Sequence, residues 1–159
     1  MRLNTDETLL FQKVCDEFIE QEPFTQMKNY KQHGFTTTYD HCISVSYYGY
    51  YFARRLHIPC DDVSLIRGAL LHDLFLYDWH EKDRTHRWHG FYHSKKAHDN
   101  ATTFFDLNEI EKNIILTHMW PLTFRSYPKK REAIIICMVD KFISILETLH
   151  IPCNPMRNK

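Results

Sequence analysis

Several common signatures are missing from this chain of 159 residues. Its five cysteines, Cys15, Cys42, Cys60, Cys137 and Cys153, are odd in number and contain no CxxC pair, so their spacing suggests neither a thiolate zinc site nor a full disulfide framework. The opening Met1-Arg2-Leu3-Asn4-Thr5-Asp6-Glu7 has no apolar leader pattern, and a reducing cytoplasm is the expected compartment. The longest unbroken apolar run covers residues 133–139, far below the ~20 residues that cross a bilayer. There is no excess of either charge: 20 basic side chains face 20 acidic ones. No general attraction to nucleic acid or an anionic membrane is therefore expected, and any anion preference must come from local clustering. Only four glycines occur, which points to few sharp turns and much helix.

What is abundant is histidine, with eleven copies. Hydrophobic residues at 43% and charged residues at 25% describe one folded domain with a real core. The chain is organised around Gly68-Ala69-Leu70-Leu71-His72-Asp73-Leu74, an apolar helical run that ends on an imidazole and a carboxylate. Val63, Ile66, Leu70 and Leu74 mark one helical face, and Leu65, Ala69, His72 and Leu76 another about 100° away, which predicts a helix buried on both sides. A carboxylate left among apolar side chains must be neutralised, paired or bound to a cation. Gly68 and Ala69 would admit neighbouring helices closely.

Five further helices are expected around the central one. Asn4 and Glu7 form a capping box opening a helix to about Gln21, and an irregular stretch follows to Thr38. His41, Val45, Tyr48, Phe52 and Leu56 recur at helical spacing over residues 40–57, which places His41 on the core-facing side. Cys60 or Asp61 caps the central helix. Ser94 caps a helix running to Phe105, and Asn108 with Glu111 opens another over residues 109–119, where Ile110, Ile114 and His118 share a face. Past Pro128 a last helix runs to Leu149, with Ala133, Ile136, Cys137, Asp140 and Ile143 turned inward. Residues 79–96 show no stable period, hold His80, His86, His89 and His93, and carry a local excess of Lys and Arg. This segment reads either as a solvated loop or as a lid offering donors to an anionic substrate.

His41, His72, Asp73, His118 and Asp140 thus fall on inward faces of separate apolar helices. Imidazole and carboxylate ligands without thiolate suit Fe, Mn, Zn, Co or Ni with an open coordination position. The order His41, His72-Asp73, Asp140 resembles the H…HD…D pattern of the HD-domain metal-dependent phosphohydrolase superfamily, over roughly residues 38–148, with GALLHDL its most specific part. The resemblance implies an all-α, compact single-domain bundle of about six or seven helices. Residues 1–37 would be a lead-in and residues 149–159 a tail. It also implies one or two divalent ions held by His41, His72, Asp73 and Asp140. His93 and His118 resemble the additions some branches use for a second ion, with Asp73 bridging, and His89 could replace His93. The HDIGK and GYP signatures of the cyclic-di-GMP phosphodiesterases are missing.

The expected activity is hydrolysis of a phosphate ester or anhydride, of a nucleotide or another small phosphorylated metabolite. Asp73, Asp78 and Lys141 are the candidate catalytic groups, Asp78 as general acid or outer partner. Arg87 and Lys95 are candidate phosphate donors and Trp120 a candidate stacking surface. The expected partner is a small phosphorylated substrate, with no nucleic acid and no membrane, and a homodimer is an admissible assembly. A di-iron oxygenase of the same fold and a nucleotide sensor without turnover remain as alternatives.

Overall fold

The computed structural model describes residues 2–77 and 89–156, with the backbone alone at His89. Among them seven α-helices and one short hairpin form a helical domain. Helix α1 (Thr5–Asp16) is opened by the expected box: Asn4 Oδ1 accepts from the Glu7 N–H at 2.8 Å and Glu7 Oε2 accepts from the Asn4 N–H at 2.8 Å. It ends well before Gln21, because the chain tightens into turns that bring Phe18 into the core against Phe105, ring centroids 5.1 Å apart.

The stretch expected to be irregular is ordered. It contains α2 (Glu22–Gln26), a single 3-10 turn (Met27–Asn29), and an antiparallel hairpin of β1 (Lys31–His33) and β2 (Thr36–Thr37). Such short elements carry too few residues to show a period.

Helix α3 (Thr38–Arg55) starts two residues earlier than its stripe predicts, because Thr37 Oγ1 accepts from the Asp40 N–H at 3.1 Å. His41 is completely buried, but the stripe drifts outward along the helix until Leu56 is 65% exposed. Helix α4 (Asp62–Leu71) is capped by Asp61, whose Oδ1 accepts from the Ser64 N–H at 2.8 Å. It lies centrally, packing on α1 and α3 and on three later helices: α5 (His89–Phe104), α6 (Glu109–Thr117) and α7 (Arg131–Thr148). A Cβ at Gly68 would come within 2.5 Å of Ile114 Cδ1, so α4 and α6 cross where only glycine fits. Val63, at the first turn, is 42% exposed, so burial on both faces begins after it.

Helix α5 begins before Ser94, and α6 opens with its expected Asn108–Glu111 box. The inward stripe of α7 continues one step past Ile143, to Glu147, which is 1% exposed. Among the described residues no helix is long and apolar enough to cross a membrane.

Candidate metal centre

The site lies where the ends of α4 and α6 meet the interiors of α3, α5 and α7. His72 is the C-cap of α4, Asp73 follows it, and His118 is the C-cap of α6. A helix C-terminus leaves carbonyls without intrahelical donors. Both histidines meet that need, His72 Nδ1 donating to the Ala69 carbonyl at 2.7 Å and His118 Nδ1 to the Ile115 carbonyl at 2.8 Å. On α3, His41 Nδ1 donates to Glu147 Oε2 at 2.8 Å. In each ring Nδ1 is engaged from behind, so Nε2 is the nitrogen turned to the interior, where a metal ion would displace any proton it carries.

These Nε2 atoms converge on two carboxylates. Asp73 turns its two oxygens in opposite directions. Oδ2 faces His41 Nε2 at 3.8 Å and His72 Nε2 at 3.5 Å, while Oδ1 faces His93 Nε2 at 3.2 Å and His118 Nε2 at 3.3 Å. Asp140 Oδ1 lies 3.1 Å from His41 Nε2 and 3.8 Å from His72 Nε2. His93 Nε2 and His118 Nε2 are 2.8 Å apart.

Burial alone would raise the Asp73 carboxyl, but the facing imidazoles of His72, His118 and His93 hold it well below the usual carboxylate range. Burial likewise opposes ionisation of Asp140, yet His41 and His72 keep it well below its usual value. Against the same opposition from burial, Asp140 and Glu147 lift His41 to about 10. For His118 burial prevails and lowers the imidazole.

Among the described residues no lysine or arginine ion-pairs closely with these carboxylates. Lys141 Nζ stands 4.0 Å from Asp140 Oδ2. His72 Nε2 and Asp73 Oδ1 are shielded from solvent with no hydrogen-bond partner. Two buried polar atoms left without partners in one cluster fit the uptake of a cation there. The donor atoms of His41, His72 and Asp140, and those of His72, Asp73 and His118, each lie within 4.8 Å of one another. Nitrogen and oxygen donors of this kind suit a borderline divalent ion.

Access is one-sided. His41 and His72 are sealed, whereas Asp73, His93, His118 and Asp140 border a cavity of about 890 Å³ that Lys141, Ser144 and Ile145 close from the side of α7. Lys141 stands in that wall, its ammonium donating to the His118 carbonyl at 2.7 Å and the Cys137 carbonyl at 3.2 Å. Those bonds tie α7 to the end of α6, and leave its charge at the cavity edge.

Two other expected contacts lie elsewhere. Trp120, 38% exposed, borders a separate apolar cavity of about 280 Å³ with Tyr127, Ile134 and Met138. The single residue between His118 and Trp120 is enough to turn the indole away. Lys95 is exposed on another face of α5 from His93 and borders a neighbouring cavity. Asp78, Arg87 and the side chain of His89 lie outside the described residues.

Three contributors were not anticipated. Gln32 Nε2 donates to Asp73 Oδ2 at 2.5 Å, and His33 borders the cavity with its ring 5.5 Å from that of His41, both delivered by the hairpin. Burial lowers the His33 imidazole. The third is Glu147, which orients His41; continuing the stripe of Ala133, Ile136, Asp140 and Ile143 by one step finds it.

A helical shell that gathers histidines and aspartates from several helices around an open cavity defines a divalent-metal site. The family model for the HD domain matches residues 38–144, more than half of the chain, and the chain belongs to that family. This places it in a superfamily whose members are mostly metal-dependent phosphohydrolases, with divalent metal binding as their shared property. No curated protein and no solved structure matches the chain. The matched segment contains His41, His72, Asp73, His93, His118 and Asp140, and excludes Gln32, His33 and Glu147.

Proposed function

We propose that this protein hydrolyses a phosphate ester or anhydride of a nucleotide or another small phosphorylated metabolite. His41, His72, Asp73 and Asp140 would hold one divalent ion, and His93 with His118 a second, with Asp73 shared between them. The observation that carries the reading is the divided Asp73 carboxylate, each oxygen facing two imidazoles. When bound, such ions draw charge from phosphoryl oxygens and lower the pKa of coordinated water toward ~7.

The chain's own residues supply the remaining requirements. Glu147, Ala69 and Ile115 fix the ring orientation of His41, His72 and His118 through Nδ1, so no reorganisation is needed when a ligand is taken up. Gln32 holds Asp73 Oδ2 in place, and Thr38 Oγ1 steadies Gln32 by donating to its Oε1 at 3.4 Å. Hydrolysis passes the oxygen of water to phosphorus and a proton to the departing oxygen. The His33 imidazole, on the cavity wall and kept neutral by burial, is placed to relay that proton. Lys141 offers a fixed positive charge beside the site.

The test is metal analysis of protein purified without chelator, followed by phosphate release from a panel of nucleotides, dinucleotides and small phosphomonoesters with each metal restored. His72→Ala protein serves as the control for contaminating activity. Phosphate release under anaerobic conditions supports hydrolysis. Dioxygen consumption with an iron-loaded protein and no phosphate release favours the oxygenase alternative. Tight nucleotide binding with no product in any metal favours a sensor.

A further inference from the structure

A helix that is apolar all round belongs inside a protein or an assembly. On one side of α7, Ala133, Ile136 and Ile143 face the core, and on the other Ile134, Met138, Phe142, Ile145 and the C-cap Leu149 each stand between 45% and 65% exposed. At about 100° per residue these five fall within about 80° of one another, in a stripe about 22 Å long. No charged residue interrupts it. Asp140 and Glu147 are buried, and the ammonium of Lys141, at the edge, is bonded to the His118 and Cys137 carbonyls.

Apolar hollows extend the stripe on both sides. Trp120 and Tyr127 border one of about 280 Å³ with Ile134, and Phe52 and Leu56 border another of about 390 Å³ with Met138 and Phe142. Trp120, Tyr127 and Leu56 are themselves exposed, so eight side chains of ~200 Å², each about half open, offer ~800 Å². The largest apolar patch on a typical monomer is ~300–600 Å², whereas each partner of a standard interface gives ~800 Å².

The stripe is also complementary to itself. Met138 and Ile145 lie four residues before and three after Phe142, and Ile134 and Leu149 eight before and seven after. Two copies of α7 laid antiparallel about a two-fold axis at Phe142 therefore set Met138 against Ile145 and Ile134 against Leu149, twice over. That alignment brings the N-terminal end of each helix to the C-terminal end of the other, whose last turn holds no basic residue of its own. With 20 basic and 20 acidic side chains in each, the two copies carry no net repulsion. We propose that the protein is a homodimer joined through α7 in this antiparallel alignment. Ile145 also borders the metal cavity beside Lys141 and Ser144, so the second copy stands at the rim of that cavity.

The test is sedimentation velocity of the full chain purified without chelator, of its Met138→Lys and Ile145→Glu variants, and of the two variants mixed. Both substitutions are at exposed positions, and circular dichroism checks that each variant is folded. Interfaces of this area hold at about 1 µM or tighter, so the parent is expected to run as two chains at ~50 µM. Each variant alone buries two unpaired charges in the seam and is expected to associate at least about a hundredfold more weakly, running as single chains. The mixture sets the introduced ammonium against the introduced carboxylate at one contact and keeps Ile145 against Met138 at the other, so the two-chain species is expected to return. A parent that stays a single chain, whether free or on phosphatidylglycerol vesicles, overturns the proposal. A dimer that both variants retain overturns it too, by placing the contact elsewhere, and variants that stay single when mixed overturn the antiparallel alignment.

Discussion

Two sets of buried carboxylates occupy this small domain, and their partners set them apart. Glu7 and Glu111 each close a capping box and each meet a guanidinium, Arg55 at 2.7 Å and Arg67 at 2.6 Å. Asp140 and Glu147 meet imidazoles at their closest contacts, and Asp73 meets four imidazoles besides the Gln32 amide. The first set is complete as folded. The second has its neighbouring rings fixed from behind through Nδ1 and their Nε2 atoms turned toward it, the placement that a bound cation would use. Acids paired with guanidinium groups hold the helices, and acids that gather several histidines mark where a ligand is to be held.

The contrast can be broken experimentally, and the largest expected effect lies at Asp73. Asp73→Asn should lose bound metal and lower phosphate release by more than about a hundredfold, the upper range for losing a mere orienting partner. At neutral pH its metal-free form should unfold at a lower temperature than the metal-free parent, because the charge that the facing imidazoles hold in place has gone. Thermal unfolding checks this, and an unchanged or higher temperature would contradict it.

Chelation should come next in size. A metal present at about a hundred times its dissociation constant stabilises the fold by about 2.7 kcal/mol. The parent should lose that amount on chelation, read from urea unfolding, and Asp73→Asn should lose almost none. Glu147→Gln should lower metal affinity about 10-fold to 100-fold by loosening His41, measured by competition with a chromogenic chelator. Unchanged affinity would make Glu147 a packing residue.

The smallest effect belongs to the other set. Glu7→Gln should cost about 1 kcal/mol of stability and leave metal content untouched. Burial alone would raise the Glu7 carboxyl, but the Asn4 N–H and the Arg55 guanidinium hold it below its ordinary 4.5. A depressed carboxyl stabilises the fold above its unfolded value. The difference between parent and variant should therefore persist at neutral pH and fade as pH drops below about 4.5 through the lower folded value. Urea unfolding at pH 7 and pH 3.5 checks the sign.

Much of the site could be read from residue types and spacing, and the exceptions have physical causes. Asp140 and His41 stand out because a polar residue on an apolar stripe is visible from sequence. His72-Asp73 stands out because it ends an apolar run. Glu147 lies on the same stripe as Asp140 but near the end of α7, where exposed and buried positions alternate too closely for the pattern to be followed with ease. Gln32 and His33 ride a hairpin of three and two residues, too short to carry a period, and only tertiary packing brings them to Asp73. Trp120 and Lys95 lie off the metal cavity although each is two residues from a candidate ligand in the chain. For Lys95 the helical advance of about 100° per residue sets its face apart from that of His93, and Trp120 lies in the turn past α6.

The most direct measurement is the number of divalent ions per chain, by mass spectrometry of protein dialysed against Fe, Mn, Zn, Co or Ni in turn. At least one ion per parent chain, and none in Asp73→Asn, is the expected result. A parent chain that stays empty with every metal while remaining folded would contradict the account.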